Sequence, residues 1–91
     1  MRVVWSEKAR ADREAAIDYI ARDSLAAALN QLDEIERQTD SLAEHPKLGR
    51  SGRMEETREL VINRTPFIVV YRIQGEVVQI LRLLHGAQQW P

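Results

Sequence analysis

Arginine dominates the side chains of this sequence that can do chemistry. Arg50 and Arg53 lie in a turn-rich stretch, Arg58 heads an apolar run, Arg72 sits in a second run and Arg82 in a third. A guanidinium presents five donors in a rigid fork that matches a carboxylate or phosphate, so converging arginines make a grip for an anion. Arg82 is the most unusual, because it interrupts Ile80-Leu81-Arg82-Leu83-Leu84. Plain strand alternation puts it on the face of Val78, Ile80 and Leu84, where an unpaired charge is costly, so it needs a partner or an opening. The same alternation groups Arg58 with Leu60 and Ile62, and aligned outer strands would let Arg58 and Arg82 meet on one side of a sheet. The structural alternatives are an exposed strand end for Arg58, beside Glu55, Glu56 and Glu59, and an internal salt bridge for Arg82. His85 follows the third run and is a candidate proton carrier near neutral pH, with packing or exposure as its alternative. Trp5 and Trp90 read as core or groove covers, or else as interface residues.

Other chemistries are excluded by what the chain contains. It has no cysteine, and His45 and His85 are isolated, so neither thiol nucleophiles nor a metal cluster is expected, and no cofactor is implied. Phosphate-loop, dinucleotide and zinc-protease motifs are absent, and Gly49-Arg50-Ser51-Gly52 is not a nucleophile elbow. Asn63-Arg64-Thr65 matches a glycosylation acceptor only formally, because Met1 to Lys8 shows no export signal and the cytoplasm is the expected location. No apolar run approaches the roughly 20 residues of a membrane span. The net charge of −1 is unevenly spread: residues 1–44 carry six basic and ten acidic side chains, and residues 45–91 seven and four. A basic half can face an anionic partner that the acidic half repels, although a solvated surface produces the same pattern.

The elements that must position these residues follow from periodicity. Arg2 to Trp5 fits a short strand, and Ser6 stands where a helix N-cap belongs. Trp5, Ala9, Ala16, Ile17 and Ile20 recur near helical spacing to about Arg22, and Asp23-Ser24 offers a fresh cap. From Leu25 the apolar positions keep three- and four-residue steps through Leu29, Leu32, Ile35 and Leu42, with no Gly or Pro before Pro46. So short a break makes the two helices an antiparallel hairpin whose apolar stripe something flat must cover. After the loop from His45 to Arg53 the period becomes strand-like, in Leu60–Ile62, Phe67–Tyr71 and Val77–Leu81. The prediction is a single α+β domain over residues 1–91: a short strand and a helical hairpin packed on an antiparallel sheet of three to four strands. With 91 residues it buries about two-thirds of its unfolded surface, a thin stability margin.

Several of these pieces, in this order and spacing, resemble the ParE/RelE toxin superfamily. They are Ser6-x-x-Ala9-x-x-Asp12 continuing to Ile20, Leu42-Ala43-Glu44-His45-Pro46-x-x-Gly49, Arg58-Glu59-Leu60, Pro66 to Arg72, and Ile80 to Pro91. The resemblance spans essentially the whole chain. It implies a toxin of a toxin–antitoxin pair, a ParD-like or RelB-like antitoxin partner in a hetero-oligomer, and operator DNA reached only through that antitoxin. An amphipathic antitoxin helix would fill an apolar groove on the hairpin, at Ile17, Ile20, Leu25, Leu29 and Leu32, and a strand could extend the sheet edge.

Two target classes go with this resemblance. RelE-like members cut messenger RNA on the ribosome, which would cast Arg58, Arg82 and His85 in catalysis, with Arg50 and Arg53 as loop cations. The tyrosine expected about six residues after Arg82 is Gln88 here, which cannot carry a proton at useful pH. ParE-like members poison DNA gyrase by binding and need no general base. A net charge of −1 attracts nucleic acid little, so gyrase is the favoured target, with Arg50, Arg53, Arg58, Arg82, His85 and Trp90 as candidate target contacts. A third possibility is a non-toxic antitoxin-binding protein that tunes autoregulation.

Overall fold

In a computed structural model describing residues 1–86 and 88–91, the chain runs β1 (Arg2–Trp5), α1 (Glu7–Ala21), α2 (Leu25–Asp40), β2 (Arg50–Ser51), β3 (Arg58–Val61), β4 (Phe67–Gln74) and β5 (Val77–His85). Ser6 caps α1 by accepting from the Ala9 N–H at 3.0 Å, and Ser24 caps α2 by accepting from the Ala27 N–H at 3.1 Å, each satisfying an orphan donor of the first turn. The helix of α2 stops at Asp40 and tightens into a 3-10 turn over Ser41–Ala43, so the apolar period continues where the α-helix does not. Strands β3, β4 and β5 run longer than the apolar runs indicate, and Gly75, at φ +60°, closes the tight β4–β5 turn.

The expected α+β arrangement, a helical hairpin over one sheet, is present. The sheet has five strands in the order β1-β5-β4-β3-β2. Its C-terminal strands pair antiparallel, while β1 adds to β5 in parallel, from Arg2 opposite Val77 to Trp5 opposite Ile80. The loop from His45 to Arg53 also contributes β2, which pairs only with Arg58 and Glu59. Composition conceals both additions: β1 is too short to show a period, and β2 is two polar residues held by neighbours rather than by propensity.

The core lies between hairpin and sheet. Ala9, Ile35 and Leu42 meet Leu60, Ile62, Phe67, Val69, Tyr71, Val78, Ile80 and Leu83, with Trp5, Ile17 and Ile20 packed at its margin. Leu25 and Leu29, expected on the covered stripe, are 65% and 55% exposed. They lie at the turn end of the hairpin, and the turns that bury α2 are those of Ala28, Ile35 and Thr39.

Tyr71 ties the loop before β2 to this core. Its buried hydroxyl donates to the Pro46 carbonyl at 2.7 Å and accepts from the Gly49 N–H at 2.8 Å. Burial pushes its pKa up, and the Gly49 bond opposes this only in part. Gly49 has no room for more: a Cβ would stand 2.7 Å from the tyrosine oxygen and 2.9 Å from the Glu59 carbonyl. Tyr71→Phe is expected to cost about 1–3 kcal/mol, because it leaves the Gly49 N–H unpaired inside the protein, read as a fall in the urea midpoint at unchanged m-value.

Candidate functional site

The β4–β5 ladder slips by one residue between Val70 and Tyr71: Val70 faces Arg82 while Tyr71 faces Ile80. This bulge overturns the alternation expected for Arg82. Leu83 takes the place on the helix-facing side, and Arg82 moves to the other side with Leu84, opposite Val70 and Ile68. Arg58 stays on the helix-facing side opposite Tyr71, so the two arginines expected to meet are on different faces, with β4 between them.

Arg82, Arg58 and Arg72 are each engaged within the chain. Arg82 donates from Nε and Nη2 to the two carboxylate oxygens of Asp12, at 2.7 and 3.2 Å, with both side chains largely buried. Asp12 also accepts from the Leu83 N–H at 3.0 Å. That donor would be an orphan, because β1 ends opposite Ile80 and leaves the rest of β5 as an edge. Arg58 donates to the carbonyls of Gly49 and Lys47, at 2.8 and 3.3 Å, and so helps Tyr71 to hold the loop. Arg72 donates to the Gln79 side chain at 2.8 Å.

The loop cations converge on Glu59, which is only 2% exposed. Arg53 donates to it from its backbone N–H and from its guanidinium, at 2.9 to 3.3 Å, and Arg50 stands 3.8 Å away. Burial alone would raise the Glu59 pKa, but the Arg53 bonds and the Arg50 charge outweigh it and hold the carboxyl below its ordinary value. Glu34 is held low too, first by the Gln38 amide and then by Arg64 and Arg37. His85 is exposed, with its ring edge-on to Phe67 at 6.1 Å, and its backbone N–H donates to Gln88. The guanidinium carbon of Arg82 lies 5.4 Å from the Trp90 ring centre. Ala87 lies outside the described residues.

Two clefts flank the helical hairpin. One, of about 650 Å³, is bordered by Arg37, Arg50 and Arg64 and by Leu60 and Val61 of β3, whose outer edge β2 does not reach. The other, of about 470 Å³, is more apolar and lies between Ala15, Ala16 and Tyr19 of α1 and Phe67 and Leu83 of the sheet. Among the expected antitoxin contacts, Ile20 borders this second groove, Ile17 and Leu32 border a smaller hollow between the two helices, and Leu25 and Leu29 are exposed. Asp12 and Glu59 were not distinguished in the sequence from solvated carboxylates. Arg82, which needs a partner, is the one signal that points to Asp12.

A helical hairpin laid on an antiparallel sheet is the architecture that the resemblance to the ParE/RelE toxin superfamily implies. Residues 3–90 match the family model described as the ParE toxin of the type II toxin–antitoxin system, parDE, and the chain belongs to that family. It is 40% identical over 90 residues to a toxin named Y4kP of Sinorhizobium fredii, covering 99% of this chain and 93% of that one. It is 37% identical over 86 residues to the toxin RelE2 of Caulobacter vibrioides, covering 94% and 96%. The solved structure titled as the chromosomal ParDE TA system from P. aeruginosa superposes with a TM-score of 0.83 at 31% identity, covering 93% and 95%.

The depressed Glu59 pKa fixes a sign. Its contribution to stability is present above the unfolded-state value and is lost as pH falls through the lower folded value. Urea titrations from pH 7 to about pH 3 should therefore show wild type losing stability on the acid side, and Glu59→Gln losing less. The two proteins should converge at the lowest pH, whereas parallel curves would show that the pair does not act on folding.

Proposed function

We propose that this toxin arrests growth by binding DNA gyrase, and that a cognate antitoxin neutralises it by laying an amphipathic helix into the apolar groove between α1 and the end of the sheet. The observation carrying the first half is the internal engagement of the arginines. Arg82 is paired with Asp12, Arg53 and Arg50 with Glu59, and Arg58 with two loop carbonyls. A nuclease needs such groups turned toward a phosphate as charge develops on it, whereas a binding toxin needs a fixed surface. In this reading Arg50, Arg53, His85 and Trp90 contribute to the target surface, and Arg58 fixes the loop that carries Arg50.

The open groove supports the second half. Beside it Tyr19 is 68% exposed, and Leu25 and Leu29 follow at the hairpin turn, so an apolar helix face has matching surface to cover. Operator DNA is then reached only through the antitoxin, and the complex is a hetero-oligomer. Messenger-RNA cleavage is the second reading, favoured by the likeness to a toxin named RelE2.

Purified toxin should inhibit supercoiling of relaxed plasmid by gyrase and trap cleaved DNA, and induction without the antitoxin should produce DNA breaks. Cleaved transcripts with gyrase unaffected would transfer the assignment to the ribosome, and unchanged growth would leave only antitoxin binding. Tyr19→Ala should leave folding and growth arrest intact while weakening antitoxin affinity about 30-fold, the effect of losing one interface hot spot of about 2 kcal/mol. Titration calorimetry with the antitoxin measures this, and unchanged affinity places the docking surface elsewhere.

A further inference from the structure

We infer that Asp12 and Arg82 form a clamp that docks the C-terminal tail through Trp90, and that Arg82 acts as a positioning residue for the tail rather than as a contact for an anion. The biological consequence rests on the reading above in which the tail belongs to the target surface.

The argument begins with the edge of β5. Beyond Ile80 no strand among the described residues covers it, and Asp12 from α1 closes it by accepting the Leu83 N–H. The same carboxylate takes Nε with one oxygen and Nη2 with the other, so the guanidinium plane is set by two bonds and its charge is compensated. Two of its five N–H donors are thereby spent on Asp12 and its plane is fixed, which leaves a flat face on which an aromatic ring can rest. The guanidinium carbon stands over the Trp90 ring, 5.4 Å from its centre, inside the range of a cation–π contact.

The indole nitrogen of Trp90 is buried and makes no hydrogen bond to the described residues. The pose of the ring therefore depends on contact with its face rather than on a polar bond. Lysine cannot replace Arg82, since an ammonium is a point charge that does not both fork to a carboxylate and present a plane.

The clamp is tested with Trp90 as the sole tryptophan, excited beyond the tyrosine absorption band, in a Trp5→Phe background checked by circular dichroism. Asp12→Asn is the informative variant, because its amide oxygen still accepts the Leu83 N–H while the ion pair is gone. Acrylamide quenching of Trp90 should rise about threefold or more in Asp12→Asn and in Arg82→Lys, with growth arrest weakened in both. Unchanged quenching in the folded variants overturns the clamp, whatever growth does. If neither variant folds, the parent still decides, since a Trp90 quenched as readily as free indole overturns the inference and a shielded one supports it. Increased quenching with undiminished arrest supports the clamp and overturns instead the reading that places the target surface on the tail.

Discussion

Between Val70 and Tyr71 the central pair of strands loses step by one residue, and the placement of Arg82, Leu83 and Leu84 follows from that slip. A strand has a period of two, so one extra residue exchanges the faces of everything beyond it. Without the bulge, Arg82 would enter the core beside Val78 and Ile80, and Leu83 would leave it. With it, Leu83 stays in the core and the charge is delivered to the edge of β5, within reach of α1. The bulge is itself tied down: the Ser6 N–H donates to the Ile80 carbonyl at 2.9 Å and the Ser6 hydroxyl to that of Leu81 at 3.2 Å. The residue that starts the first helix also holds the irregularity that spares the core a charge.

Electrostatics here is local. Two carboxylates of the acidic half pair with arginines of the basic half, and both pairs join different layers. Asp12 of α1 reaches β5, and Glu34 of α2 bonds Arg64 in the β3–β4 turn. Gln38 meets the backbone of Asn63 with both ends of its amide, at 2.8 and 3.0 Å, much as a neighbouring strand would. These contacts register the hairpin on the sheet in a way that apolar packing, which tolerates sliding, does not. The exposed pairs contribute little to stability.

The helical hairpin was legible in the sequence because Ser6 and Ser24 cap it and its period is long. The three C-terminal strands were legible because Gly75 and the Arg64-Thr65-Pro66 segment punctuate them. Arg82 was legible only as a problem. Its solution depends on a register slip between residues distant in sequence and on a carboxylate 70 positions away, and no local pattern encodes either. Glu59 was hidden for a related reason. It sits among Glu55, Glu56 and Arg58 in an ordinary charged segment, and only the return of the loop onto β3 buries it. The two-residue β2 has no signature of its own.

The brevity of β2 also governs how the molecule behaves in company. Past Glu59 the rim of the sheet is bare for Leu60 and Val61, and Val61 is nearly half exposed. An open strand edge beside an oily side chain is a template for an extended polypeptide, another copy of the same chain included. A companion laid along this margin would keep the molecule apart from its own kind.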